Sequence, residues 1–152
     1  MSDRAPRVMA IASGGGHWIE LLRLRPAFAE ARVTYVSVNR EYASDVPEHD
    51  FHLVNDATRW NKVGMLRLAL RVLWLLIRLR PQFVVTTGAA PGFLAIRMGR
   101  WVGARTIWLD SIANVEELSL SGQLAGKHAD LWLTQWPHLA KPGGPTYAGA
   151  VL

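Results

Sequence analysis

Two side chains in this sequence stand where they could move a proton, and each follows a short apolar run. His17 closes the stretch Ser13 to His17 (SGGGH). It could donate to a phosphate oxygen or act as a general base on a hydroxyl; the plainer alternative is an N-terminal helix residue bonded to backbone. Asp110 ends the run Ala104 to Leu109 and could take a proton from a hydroxyl, or simply cap backbone N–H groups. Between Ser13 and His17 the glycines Gly14, Gly15 and Gly16 permit positive φ and let amides approach a ligand closely. A helix starting directly behind them would add partial positive charge, which together makes a phosphate or diphosphate cradle. A tight turn with no ligand is the other reading. The dinucleotide fingerprint is incomplete, because Ile19 occupies the third glycine position and the second apolar run ends at Asn39 and Arg40, not at an acid. No GKS or GKT follows, which excludes a P-loop.

A second small-residue turn, Thr86 to Gly92 (TTGAAPG), offers the Thr87 hydroxyl and the Gly88 amide, and Ser111 and Asn114 follow Asp110. His49, His52, His128 and His138 have no metal-ligand spacing and the chain has no cysteine, so neither a metal site nor a disulfide is expected.

The charge is local. Net charge is +5 over 152 residues, yet the 53 residues between Asp56 and Asp110 hold no acid and nine basic residues. Trp60, Trp74 and Trp101 are interleaved with them. A solvated set of helix faces would explain this block; a one-sign block of this length also suits a negative surface. Within it, Val63 to Leu79 reads as a helix. At about 100° per residue, Arg67, Arg71, Trp74 and Arg78 share one side. Three arginines argue against a membrane span. The helix is then either core-packed with one wet stripe, or seated at an anionic membrane surface with Arg and Trp at headgroup level.

The elements that would position these residues alternate. Strands are expected at Arg7 to Ser13, Arg32 to Val38, Phe51 to Val54, Gln82 to Thr87, Ala104 to Leu109 and Asp130 to Gln135, with a last short one at Tyr147 to Leu152. Helices are expected from Trp18 to Ala31, bent or ended locally at Pro26; from Val63 to Leu79, closed by Arg80 and Pro81; and from Pro91 to about Val102, with Gly103 beyond. Asn114 followed by Glu116 and Glu117 predicts a fourth helix start. Asn39 to Glu48 reads as a loop, and Lys141 to Pro145 as a turn. This order predicts an α/β fold: a mainly parallel, Rossmann-like sheet with helices on both faces. Ligands then bind beyond the carboxyl ends of the strands. Met1 to Arg7 has no apolar stretch, so no secretory signal is expected.

Four segments in order, SGGGH (Ser13 to His17), TTGAAPG (Thr86 to Gly92), LDSIANVEELSLSG (Leu109 to Gly122) and ADLWLTQWPHL (Ala129 to Leu139), resemble the acceptor-side subunit of split GT-B glycosyltransferases. That group holds the bacterial PssD-type exopolysaccharide proteins and their eukaryotic relative, the anchoring subunit of a dolichyl-diphosphate GlcNAc transferase. The MurG-like enzymes share the glycine loop. Asp110 departs from the Glu expected in much of the family.

The resemblance implies that residues 1–152 form the N-terminal half of a GT-B fold, with the tail from Lys141 to Leu152 near a partner. It implies a PssE-type catalytic subunit carrying the UDP-sugar site, a lipid-diphosphate-linked sugar acceptor, and a peripheral place on the cytoplasmic face of the inner membrane. Neither a cofactor nor nucleic acid is implied. His17 or Asp110 would be the base; Ser13, Gly14, Gly15, Gly16, Thr87, Gly88, Ser111 and Asn114 would hold diphosphate or acceptor. Arg67, Arg71, Trp74 and Arg78 would meet the membrane. A non-catalytic membrane adaptor and a stand-alone nucleotide-binding protein are the rivals.

Overall fold

A computed structural model describes residues 4–151. Met1 to Asp3, part of the stretch read as carrying no signal, and Leu152, the end of the expected last strand, lie outside the described residues. Seven strands form one sheet in the order β3-β2-β1-β4-β5-β6-β7. They are β1 (Arg7–Ile11), β2 (Arg32–Ser37), β3 (Asp50–Leu53), β4 (Phe83–Thr86), β5 (Arg105–Leu109), β6 (Leu131–Thr134) and β7 (Thr146–Tyr147). All six pairings are parallel. Four helices connect them: α1 (Gly16–Arg23), α2 (Lys62–Leu79), α3 (Ala89–Gly99) and α4 (Leu120–Gly126). The expected Rossmann-like α/β sheet is therefore the fold.

Strand alternation splits the core into two layers. Met9, Ile11, Val84 and Trp108 point to the side covered by α2, α3 and α4, where they meet Leu68, Leu75, Ile96 and Ala125. Val8, Ala10, Tyr35 and Val85 point to the opposite side and pack on Trp18 and Leu21 of α1. Both faces are buried, which is why the strands read as nearly continuous apolar runs.

The chain runs outward from β1 through β2 to β3, then returns to pair β4 with the other edge of β1. The topological switch therefore lies between β1 and β4, and its carboxyl edge is where open α/β sheets form their ligand crevice.

Of the two outcomes open at Pro26 the helix takes the second: it ends at Arg23, short of Ala31, and a 3₁₀ turn, Arg25–Phe28, with Pro26 at its start takes over. Pro26 has no N–H for the α pattern. The loop expected from Asn39 to Glu48 contains a 3₁₀ turn, Arg40–Asp45, because the Asn39 side chain accepts from Glu41 N. Asn114 does not cap a helix. Its amide turns inward to Asp110, and Ser119 caps α4 by accepting from Gly122 N at 2.9 Å. The last strand is only Thr146–Tyr147; residues 148–151 leave the sheet, and the Val151 amide donates to Gln135 Oε1 instead of to a strand neighbour.

Candidate functional site

The loops after β1 and β4 meet at the switch point and are tied to each other. The His17 ring nitrogen Nδ1 lies 3.0 Å from Thr87 O, and Thr87 Oγ1 donates to His17 O at 2.5 Å. A carbonyl can only accept, so Nδ1 carries the proton. Nε2 of the neutral ring is left with its lone pair. The ring packs against Gly88, whose φ is 139°; a Cβ there would stand 2.7 Å from Nδ1. Only glycine admits both the backbone angle and the ring.

The glycine loop has its own support. Gly15 (φ 66°) donates its amide to Tyr42 Oη at 2.9 Å. Tyr42 stacks on the buried Trp18 with ring centroids 4.9 Å apart, and Trp18 Nε1 donates to Asp45 Oδ2. Gly16 and His17 are the first two residues of α1, so their amides have no intrahelical acceptor. An anion there would meet open N–H groups and the positive helix end. Gly88 N is already taken by Thr86 Oγ1. Ser13 is buried beside them.

Asp110 has a different setting. It is 1% exposed, and four donors fill its carboxylate. Trp108 Nε1 (3.0 Å) and Ser119 Oγ (2.6 Å) donate to Oδ1; Asn114 Nδ2 (3.1 Å) and Ser119 N (3.0 Å) donate to Oδ2. A carboxylate with all its acceptor directions used organises the loop between β5 and α4. Of the two sequence readings for Asp110, this geometry favours the cap. Ser111 Oγ accepts from Ala113 N, so it too serves its own turn. Thus His17, Gly16, Thr87 and Gly88 gather at the switch point, while Asp110, Ser111 and Asn114 form a second cluster beyond β5.

Sequence reasoning missed the residues that join the two. Glu20, 3% exposed on α1, accepts through Oε1 from Ile112 N (2.8 Å) and from Gln135 Nε2 (2.7 Å). Gln135 Nε2 also donates to Asp110 O. Glu20 thereby fixes α1 against the loops after β5 and β6. The signal available was an acid set among Trp18, Ile19, Leu21 and Leu22 of the helix; nothing local marked Tyr42.

The outer face of α2 is not a single polar stripe. Val63, Leu66, Leu70, Trp74 and Ile77 are all at least half exposed, and Trp60 just before the helix is 80% exposed. Leu68, Val72, Leu75 and Leu76 face the core. Arg59 stacks over Trp60 and Arg71 over Trp74, with the guanidinium carbons 4.6 and 5.0 Å from the ring centroids. The exposed aliphatics therefore lie among Arg and Trp side chains on the outer side of α2. Among the described residues no helix is long and apolar enough to cross a membrane, and no group of His, Cys, Asp or Glu is arranged to hold a metal. On β3, burial and the neighbouring Arg71 guanidinium, opposed by Asp50, hold the His52 imidazole below its ordinary value.

Residues 8–151 match the family described as oligosaccharide biosynthesis protein Alg14 like. The UDP-N-acetylglucosamine transferase subunit ALG14 of Eremothecium gossypii is 26% identical, over 88% of this chain and 74% of that protein. Among solved structures, MurG of Acinetobacter baumannii superposes with a TM-score of 0.73 at 13% identity, covering 94% of this chain and 45% of the other. A UDP-N-acetylglucosamine 2-epimerase from Rickettsia bellii gives 0.68 at 14% identity, covering 89% of this chain and 40% of the other. At these identities the likeness is one of fold. This chain spans less than half the length of either structure.

Proposed function

The chain belongs to the Alg14-like family of oligosaccharide biosynthesis proteins, and from that premise we propose that it is the acceptor-side subunit of a two-component glycosyltransferase. It binds a lipid-diphosphate-linked sugar at a membrane surface and docks a separate chain that carries the UDP-sugar. The bacterial setting is the PssD and PssE pair of exopolysaccharide synthesis, at the cytoplasmic face of the inner membrane. One observation carries this reading: in a chain that matches the Alg14-like family over residues 8–151, the sheet's switch point ties His17 to Thr87 directly beside the open amides at the start of α1.

His17 is the base in this scheme. An acceptor hydroxyl attacks the anomeric carbon of the donor sugar, and its proton passes to His17 Nε2. The bond from that carbon to the nucleotide diphosphate breaks, and the leaving diphosphate keeps the electron pair. The amides of Gly16 and His17 and the N-terminus of α1 face the crevice where negative charge develops, and there they lower the barrier electrostatically. Asp110 shapes the wall and does not touch substrate. The tail, residues 141–151, lies beside the crevice through Val151 and Gln135, and we assign it to the border with the partner.

Titrating the lone chain with UDP-GlcNAc separates this reading from that of a stand-alone nucleotide-binding protein. The expected Kd is weaker than about 1 mM, since the nucleotide site lies on the other subunit. Micromolar binding by the lone chain would contradict it.

A further inference from the structure

A groove of about 590 Å³ opens beside the glycine loop, at the carboxyl ends of β2 and β3, and its wall includes Val38, Leu53, Asn55, Arg67, Leu70 and Arg71. Three features make it more than a surface dent. It holds two guanidiniums one helical turn apart on α2, in a stretch with no acid between Asp56 and Asp110. Arg71 is half-buried and oriented, its Nε donating toward Leu53 O at 3.4 Å and its plane lying over Trp74. The groove also has two distinct neighbours. A Cβ on Gly14 would meet Tyr42 Oη at 3.0 Å and Val38 at 3.7 Å, so Val38 borders both the glycine loop and the groove. Leu70, on the other side, belongs to the exposed apolar face of α2.

Positive forks between an apolar face and a phosphate-compatible loop fit a ligand that is apolar at one end and doubly phosphorylated next to it. We propose that Arg67 and Arg71 seat the diphosphate of the lipid-linked acceptor, its lipid running along Leu70 and Trp74 and its sugar reaching past Val38 to the glycine loop. Arginine suits this task because its planar fork binds phosphate oxygens in pairs. The consequence is a division of anion sites: the acceptor's diphosphate lies under α2, and the amides of Gly16 and His17 are left for the departing nucleotide diphosphate. This rests on the acceptor-subunit reading above.

Farnesyl diphosphate is a soluble probe of the groove. Arg67 makes no hydrogen bond within the described part of the chain, so Arg67→Gln tests the seat without removing a structural contact; a melting curve checks the fold. The expected result is a loss of affinity of about tenfold or more in Arg67→Gln, a smaller loss in Arg71→Lys, and no change in Arg105→Gln, which removes an equal charge at the opposite strand edge. Inorganic pyrophosphate should bind the wild type more weakly than farnesyl diphosphate, because it lacks the part that meets Leu70. Equal losses in Arg67→Gln and Arg105→Gln would overturn the proposal, leaving only a long-range charge effect. So would pyrophosphate binding as tightly as the lipid probe, which marks a free-phosphate site. A loss of flotation on phosphatidylglycerol vesicles in Arg67→Gln with farnesyl diphosphate affinity unmoved would also overturn it, in favour of a bilayer headgroup. With the partner present, Arg67→Gln should raise KM for a lipid-diphosphate acceptor to a similar degree. An unmoved KM defeats the groove alone, whereas a wild-type pair that transfers no sugar defeats the wider reading.

Discussion

Alanine in place of His17 should lower turnover of the assembled enzyme by about a hundred- to ten-thousandfold, the usual range for removing a positioned acid–base group. The fold should survive. The side chain makes one hydrogen bond, to Thr87 O, worth about 1 kcal/mol. The Gly88 backbone beneath the ring does not depend on it for its φ. A structural role alone would shift the melting temperature, and turnover would follow the folded fraction. Turnover within about threefold of wild type would remove His17 from the chemistry and favour the membrane-adaptor reading.

Asp110→Ala should act mainly on stability. It strips the acceptor from Trp108 Nε1, Asn114 Nδ2 and both donors of Ser119 at once, three residues that are themselves buried or half-buried. Removing one side of a buried charged network costs about 3–5 kcal/mol, a large share of the roughly 5–15 kcal/mol that holds a domain together. For a chain of this length that is a fall in melting temperature of about 6–20 °C. Asp110→Asn should cost nearly as much, since its NH₂ group would face two donors in place of an acceptor. Activity should track the folded fraction. The opposite pattern, an unchanged melting curve with turnover lost, would return Asp110 to the role of base.

The architecture was readable from the chain because both faces of the sheet are covered. Runs such as Met9 to Ala12 and Phe83 to Val85 have no polar side to hide, and the Gly, Pro and Asn residues between them mark the turns. Helix α2 was readable for the same reason, through its period and its closure at Arg80, which takes left-handed φ 46° before Pro81. The segment from Asp110 to Ser119 was not. Its sequence offers Asn114 and two glutamates as a helix start, but the local preference loses to a buried carboxylate that claims the Asn114 amide and the Ser119 hydroxyl. The SGGGH loop announced a close approach of backbone. The contacts that complete it span 27 residues to Tyr42 and 70 to Thr87, and no periodicity carries such a pairing. Which apolar residues of α2 lie outside was not readable: Leu66 and Leu70 look like core until burial separates them from Leu68 and Val72.

Sugar transfer to a lipid-diphosphate acceptor, measured for the purified chain alone and again after mixing with the UDP-sugar-binding subunit, tests the two-piece account most directly. The account predicts no transfer above background from the single chain and turnover that saturates as the second subunit is added. Robust transfer by the single chain would contradict it.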